Sequence, residues 1–198
     1  MVLSINELRK LVATNDIGIS PALEENEWGE ASINLRLSFE FTKLRPLPGV
    51  ALRLASGLST ISAMKAWDTI VLKEIDEHGN TQRYTLAPGQ FILAQTYETI
   101  TVPKNMIGRV EGRSTYARMG LSMHQTAPWL QPGWSGQITL EIMNSGPFEI
   151  QLTPLVDRPC QISFFQLTSE VPPDAIYGSR ATDVHQGQHH PLVHGKKE

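Results

Sequence analysis

A short run near the middle of the chain carries a hydroxyl and two guanidinium groups at a spacing that suits anion binding. The run Gly112-Arg113-Ser114-Thr115-Tyr116-Ala117-Arg118 has no helix breaker before Gly120. Residues four apart on a helix share a face, so Ser114 and Arg118 lie together, with Arg113 at the entrance. Guanidiniums and a hydroxyl at a helix start bind an anion, phosphate by preference. The spacing therefore predicts a phosphate site at this turn.

One acid is notable on the next candidate element. The segment Gln137-Ile138-Thr139-Leu140-Glu141-Ile142 alternates between polar and apolar side chains. Successive side chains of a strand point to opposite faces, so Glu141 lies on the face opposite the apolar one. An acid in that position is either solvated surface or the acid of a site, and the pattern alone leaves both alternatives open.

The size, charge and cysteine content of the chain narrow its class. Its 198 residues, 40% hydrophobic and 19% charged, are typical of one globular domain with a sizeable core. The net charge of −3 argues against a general nucleic-acid binder, which is usually strongly basic. The one cysteine, Cys160, excludes an internal disulfide and a cysteine-based zinc site, as suits a reducing cytoplasm. No apolar run approaches the ~18 residues of a membrane span, so we expect neither a span nor a secretory signal.

Hydrophobic periodicity predicts an all-β protein with a short N-terminal helix. The capping box Ser4-Ile5-Asn6-Glu7 and the apolar stripe after it predict a helix over residues 4–14. From residue 31 to 41 every second side chain is apolar, which predicts one half-buried strand whose polar side chains, including Arg36, face away from the core. Further strands are predicted over residues 90–101, 106–110, 148–152 and 161–167.

Turn signals separate these segments. Residues 46–62 are rich in Pro, Gly and Ser without a clear period, and they are predicted to form a loop. Residues 69–75 and 82–86 flank Asp76-Glu77-His78-Gly79-Asn80, which predicts a hairpin. Many short strands joined by Gly and Pro turns predict an all-β barrel or sandwich.

The chain changes character at residue 171, where Pro172-Pro173 ends the last predicted strand. Most of the histidines follow, namely His185, His189, His190 and His194. Three interpretations stand: a flexible C-terminus, a metal site, or an arm that orders over a bound ligand or a neighbouring subunit. We therefore divide the chain into a barrel domain with its N-terminal helix, residues 1–170, and a C-terminal arm, residues 171–198, which closes over an active site.

Several motifs resemble those of one family in the same order. The central run, with Gly120-Leu121 after it, resembles the G-R-S-S-x-x-R-x-G-L signature of dCTP deaminases in the dUTPase superfamily. His124-Gln125-Thr126-Ala127 resembles H-x-T-A, and residues 132–141 resemble P-G-[WF]-S-G-x-I-x-L-E. Tyr177-Gly178-Ser179 and Gln186-Gly187-Gln188 resemble the tail motif Y-G-S…Y-Q-G-Q. The resemblance extends from about residue 4 to 190.

The resemblance implies both a fold and a reaction. The fold would be a distorted β-barrel of the β-clip, dUTPase-like kind, in a homotrimer with active sites between subunits. The reaction would be hydrolytic deamination of dCTP to dUTP and ammonia without zinc. Zinc nucleobase deaminases need an H-x-E…P-C-x-x-C set, which one cysteine cannot supply. Mg²⁺ would be bound through the substrate triphosphate rather than by a protein cage.

The resemblance also assigns roles to single residues. Glu141 would be the general base, and Ser114 with the Ala127 backbone would hold the water or the alkoxide formed at C4. Arg118 would lie close to the cytosine base, and Arg113 would bind the phosphates. The remaining substrate-binding residues would be Thr115, Gln131, Trp134, Tyr177, Gln186 and Gln188, with the last two closing the arm on the nucleotide of a neighbouring site.

Departures from the family pattern and two alternative functions accompany this prediction. Gln131 stands where the family usually has an aspartate, and an amide is a poor base. His189 stands where a tail arginine is expected. A bifunctional enzyme that continues from dCTP to dUMP is one alternative, and a non-catalytic nucleotide-binding relative is the other. The site residues could also be structural, with Ser114 as a helix N-cap and the arginines and Glu141 in an interface ion-pair network, and His124 is predicted to be structural.

Overall fold

A computed structural model describes residues 1–191, so His194 lies outside the described residues. The strands of this part are β1 Gly18–Ser20, β2 Ile33–Leu35, β3 Leu37–Leu44, β4 Trp67–Val71, β5 Tyr84–Leu86, β6 Phe91–Thr101, β7 Met106–Gly112, β8 Leu121–Ser122, β9 Trp129–Leu130, β10 Ser135–Asn144, β11 Ile150–Leu152 and β12 Cys160–Gln166. The α-helices are α1 Ile5–Ala13, α2 Gly57–Ala63 and α3 Ser114–Ala117. Within residues 1–191, no helix has both the length and the apolar character needed to cross a membrane.

The strands form three antiparallel sheets around one core. The largest has the order β4-β3-β6-β10-β8, with β1 also paired to β6. A second has the order β2-β12-β7-β9, and β11 and β5 form a third. Phe41 of β3, Leu140 of β10 and Phe164 of β12 meet in a continuous buried cluster. The predicted all-β class is therefore confirmed.

The N-terminal helix was predicted from its capping box, and α1 confirms it. The Glu7 side chain accepts a hydrogen bond from the Ser4 backbone N–H at 3.0 Å, which satisfies one of the free donors at the helix start. Leu8 is fully buried, and the Leu3 N–H donates to the Phe164 carbonyl at 3.1 Å. These contacts dock the helix against the core.

The single strand predicted over residues 31–41 is wrong, because the chain changes sheets at Arg36. β2 pairs with β12, whereas β3 pairs with β6 and β4. Arg36 is buried, and its Nε lies 2.7 Å from Glu98 Oε1 and 2.9 Å from Glu27 Oε1. A buried guanidinium is tolerated only when it is paired. Burial raises the pKa of Glu98, although its bonds to Arg36 oppose that effect.

Two further local predictions are wrong. Part of the predicted loop over residues 46–62 is α2, whose Ile61 packs against Leu93 on the outer face of the largest sheet. The predicted hairpin is limited to a turn, in which the Asp76 N–H donates to the Asn80 carbonyl at 2.9 Å, and to one isolated antiparallel bridge between Ile75 and Thr81. The strands on either side separate, since β4 pairs with β3 and β5 pairs with β11. In both cases, contacts with residues far away in the chain outweigh the local sequence pattern.

Candidate active site

The strand β10 positions the predicted acid. Its residues alternate strictly between buried and half-buried from Ser135 to Asn144, which confirms the predicted alternation. Ile138, Leu140 and Ile142 enter the core, and Glu141 lies half-buried on the other face. Glu141 is therefore neither fully solvated nor sealed in the core, and a ligand can reach it.

The Glu141 carboxylate is held by the segment that precedes Ala127. The Gln125 N–H donates to Glu141 Oε2 at 2.9 Å, and the Gln125 side-chain amide donates to the Glu141 carbonyl at 3.2 Å. The Glu141 N–H in turn donates to the Met123 carbonyl at 3.0 Å. Within residues 1–191, the second carboxylate oxygen makes no hydrogen bond. One oxygen is therefore fixed and the other is open to a reactant.

Glu141 lines a cavity of about 300 Å³, which we call the Glu141 cavity. The structure brings several predicted site residues together around it: Ala127, Gln131, Trp134, Glu141, Tyr177 and Gln188. Ligand pockets usually measure about 300–1,000 Å³, so this one holds a nucleoside better than a whole triphosphate. No Lys or Arg of the described part of the chain is among its lining residues. The phosphates of a nucleotide would therefore extend out of it.

The arm closes the Glu141 cavity on its own chain. The Gly187 N–H donates to the Ser135 carbonyl at 2.8 Å, and the Gln137 N–H donates to the Gln188 carbonyl at 3.2 Å. These bonds form a short parallel pairing between the arm and the beginning of β10. Gln188 is only 5% exposed in this position. Gln186 is not among the lining residues, because its side chain accepts from the Ser135 N–H at 3.2 Å and so anchors the arm.

Tyr177 gives the arm a hydroxyl beside the cavity. This hydroxyl accepts a hydrogen bond from the His185 N–H at 3.2 Å. Burial raises the pKa of Tyr177, so the phenol keeps its proton at neutral pH. A protonated hydroxyl can donate a hydrogen bond to a ligand in the cavity.

The predicted phosphate turn, residues 112–118, does not line the Glu141 cavity. Its helix α3 is one turn long, and its N-cap is Arg113, so the alternative of Ser114 as N-cap is wrong. The Arg113 guanidinium donates to the Arg158 carbonyl at 3.1 Å. Ser114, Thr115 and Arg118 are exposed. In the described part of the chain, the side chains of Ser114 and Arg118 have no hydrogen-bond partner.

The turn and the acid therefore do not meet within one chain. Arg118 lines a different cavity of about 650 Å³, together with Gly146 and Phe148. Within residues 1–191, Arg113, Arg118 and Glu141 form no ion pairs with one another. Phe148 is 75% exposed and Met119, beside Arg118, is 46% exposed, so apolar surface surrounds this guanidinium. Exposed apolar surface of this kind is common at protein interfaces.

Comparison with known proteins now decides the family. A family model described as "dCTP deaminase-like" matches residues 2–167. The chain belongs to the dCTP deaminase-like family. The match spans every strand of the fold, including both the phosphate turn and β10, and it ends just before the arm.

Individual relatives extend the similarity through the arm. A protein of Rhodospirillum rubrum named dCTP deaminase is 34% identical over 192 residues, which cover 97% of this chain and 95% of the relative. A protein of Methanosphaera stadtmanae named "dCTP deaminase, dUMP-forming" is 33% identical over 198 residues, covering 100% of this chain and 94% of the relative.

A solved structure shares the fold. It is the 2'-deoxycytidine 5'-triphosphate deaminase from Agrobacterium tumefaciens, with a TM-score of 0.61 and 21% sequence identity. The alignment covers 82% of this chain and 47% of that chain, so this chain spans about half of its length. At this identity the likeness concerns the fold alone.

Among the cavity residues of this dCTP deaminase-like chain that were not predicted as site residues are Thr139 and His124. Thr139 was assigned only to the polar face of its strand, and His124 was predicted to be structural. His124 Nε2 lies 3.2 Å from Glu111 Oε2, which supports a structural role. Burial tends to raise the pKa of Glu111, but its bonds to His124 and Arg109 outweigh burial and lower it. The alternation of β10 already placed Thr139 on the face of Glu141, which was the signal for it.

The arm packs closely against Gly133, and this contact leads to a prediction for this dCTP deaminase-like chain. Its φ is +86°, and an added Cβ would lie 2.2 Å from Ile176 Cγ2 in the arm. Gly133→Ala should therefore loosen the arm. A loss of about 1.4 kcal/mol in docking opens a segment about tenfold more often. Tryptic cleavage after Arg180 should accelerate by about that factor, because cleavage follows the opened fraction.

Gly79→Ala is the matched control for this variant. Gly79 has a similar φ of +81°, but its added Cβ would meet no atom within 4 Å. Both substitutions strain a left-handed backbone, and only one of them collides with the arm. Equal cleavage rates after Arg180 in the two variants would show that Gly133 does not hold the arm.

Proposed function

We propose that this chain is a dCTP deaminase, which hydrolyses dCTP to dUTP and ammonia. The observation that carries the proposal is the half-buried carboxylate of Glu141, held by the Gln125 N–H within a cavity of nucleoside size. Membership of the dCTP deaminase-like family and the names of the relatives support it.

The proposed chemistry uses Glu141 as the general base. Its free oxygen takes a proton from a water, whose oxygen forms a bond to C4 of the cytosine. The carboxyl gives this proton to N3 of the ring. It then takes the proton of the new C4 hydroxyl and passes it to the amine, so that the C4–N bond breaks, the C4 carbonyl forms and ammonia departs. Proton transfer of this kind accelerates a reaction about 10²–10⁴-fold. The Ala127 backbone and Ser114 would stabilise the alkoxide at C4, as fixed dipoles do for a developing charge.

The proposal places each active site between two copies of the chain in a homotrimer. The lining of the Glu141 cavity lacks Lys and Arg in the described residues, although a triphosphate needs cations. The phosphate turn offers an exposed Ser114 and Arg118 whose side chains lack partners among residues 1–191 of the same chain. The exposed Met119 and Phe148 beside it suit a subunit interface. A second copy that brings its phosphate turn to the Glu141 cavity would complete the site with Arg113, Thr115 and Arg118.

We further propose that Mg²⁺ enters with the triphosphate and that no zinc takes part. Mg²⁺ keeps several waters and is commonly bound through substrate phosphates. The proposed role of the metal is to neutralise phosphate charge beside Arg113. The carboxylate of Glu141 and the Ala127 backbone would supply the chemistry at C4.

A second candidate is a dUMP-forming enzyme, as the Methanosphaera stadtmanae relative is named. The tail segments Tyr177-Gly178-Ser179 and Gln186-Gly187-Gln188 favour it, because they resemble the tail motif Y-G-S…Y-Q-G-Q. Gln131 disfavours it, since this cavity residue has no carboxylate to orient a water toward phosphorus. The first candidate therefore stands ahead.

Product analysis tests the proposal. The purified protein is incubated with dCTP and Mg²⁺, and nucleotides, ammonia and pyrophosphate are measured. We expect ammonia and accumulating dUTP in equal amounts, with activity lost in a chelator and recovered with added Mg²⁺ alone. Pyrophosphate and dUMP would instead establish the second candidate. Binding of dCTP without any product would contradict both.

A further inference from the structure

Two buried polar atoms on the face that carries Glu141 lack hydrogen-bond partners. Gln95 is only 2% exposed, yet its side-chain Nε2 has no partner among residues 1–191. The Thr139 hydroxyl is also buried and unpaired within this part of the chain. Buried amides and hydroxyls are nearly always satisfied in folded proteins. An unsatisfied pair therefore needs an explanation.

The strand register places these two groups side by side next to the Glu141 cavity. Thr139 of β10 is the direct partner of Gln95 of β6, and Glu141 is the partner of Leu93. Direct partners in an antiparallel pair project to the same face, about 5 Å apart. Thr139, Glu141 and Leu93 all line the cavity. Two residues along a strand span about 7 Å, so Thr139 and Glu141 are spaced to contact two different edges of one pyrimidine ring.

A purely structural role does not account for the pair. A valine has the shape of a threonine, and a methionine fills a volume similar to that of a glutamine. Either would fill these strand positions without burying an unpaired donor, which costs free energy. The neighbouring position of β6 on the same face, Leu93, is apolar, so the strand itself does not need a polar side chain here.

We infer that Gln95 and Thr139 form a subsite for an oxygen atom that the pyrimidine base carries at a position other than the reacting C4. This inference rests on the proposed function, which places C4 at Glu141. The Gln95 Nε2 is a donor only, and the Thr139 hydroxyl can donate, so the ligand atom is an acceptor. Such an oxygen is either the ring carbonyl at C2 or an oxygen on a substituent at C5. The pair thus acts as a specificity determinant for the base.

Thr139→Val and Gln95→Met test the subsite with three nucleotides. The measurement is kcat/KM for dCTP, for its 2-thio analogue, in which sulfur is a weak acceptor, and for 5-hydroxymethyl-dCTP. If the C2 carbonyl is the ligand, each variant loses about tenfold with dCTP, and the wild-type preference for dCTP over the 2-thio analogue disappears. If the C5 oxygen is the ligand, the wild type prefers the 5-hydroxymethyl nucleotide, and that preference disappears instead. Unchanged kcat/KM for all three nucleotides would overturn the inference.

The thermal melting temperature distinguishes a subsite from a packing role. Removing an unpaired buried polar group should leave the melting temperature of the free protein unchanged or raise it. The increase in melting temperature on adding dCTP should become smaller than in the wild type. Thr85→Val is the matched control, because Thr85 is exposed on β5 and should change neither value. A marked fall in the melting temperature of both free variants would show that the pair is structural.

Failure of the proposed function would be recognised separately. In that case the wild type releases no ammonia from any of the three nucleotides. Calorimetric binding of the same nucleotides to the wild type and to Thr139→Val still reports on the subsite. Equal dissociation constants for the two proteins with every nucleotide would then reject it.

Discussion

Glu141→Gln is expected to lower kcat for dCTP deamination by about 10²–10⁴-fold, because the variant has no general base. The substitution keeps the shape of the side chain and an oxygen that can accept from the Gln125 N–H. The strand and the cavity should therefore persist, and dCTP should bind with a dissociation constant close to that of the wild type. Ammonia release in a steady-state assay gives the rate, and calorimetry gives the binding.

Glu74→Gln is the control for the same chemical change at an exposed position. It should deaminate dCTP at the wild-type rate. A wild-type rate in Glu141→Gln would remove Glu141 as the general base. If instead the variant failed to bind dCTP, the carboxylate would be a binding group, and the base would have to be sought elsewhere in the cavity.

The Arg118→Ala variant and the Glu141→Gln variant are each expected to be inactive when expressed alone. Oligomers that contain both kinds of variant chain are expected to be active. In one chain the two residues line different cavities, so a site that uses both must draw on two copies. In a mixed oligomer some interfaces combine an intact Arg118 with an intact Glu141. Equal co-expression of the two variants should restore about a quarter of the wild-type activity, since each site draws independently on two chains.

The control mixture combines Glu141→Gln with a chain that carries both substitutions. It contains intact Arg118 but no intact Glu141, so activity should stay at background. Native mass spectrometry with differently tagged chains confirms that mixed oligomers form. Mixed oligomers without recovered activity would mean that each site lies within one chain, and the proposed shared site would be abandoned.

The sequence alone determined the features that depend on local periodicity and capping. The helix α1 followed from the capping box of Ser4 and Glu7. The polar face of β10, with Glu141 on it, followed from strict alternation. A side chain's face in a strand depends only on its parity, so no distant contact was needed. The order of motifs likewise identified the family before the fold was known.

Only the tertiary structure decided the features that depend on residues far apart in the chain. Arg36 could not be predicted as buried, because its partner Glu98 lies on another strand. The two strands that were predicted to form one hairpin pair with other strands instead. The helix α2 was not predicted, because it is stabilised by packing against Leu93 of a distant strand. Each outcome was fixed by a non-local contact that outweighs local preference.

The candidate site shows the same division. Sequence placed the phosphate turn and Glu141 in one predicted site, and the structure separates them within a chain. The pairing of Gln95 with Thr139 depends on a register shift between β6 and β10, beside Gln137. One residue of slip would turn Gln95 to the other face. Local pattern therefore determined which side chains could react, and strand register, with the packing of the arm, decided which of them share a cavity.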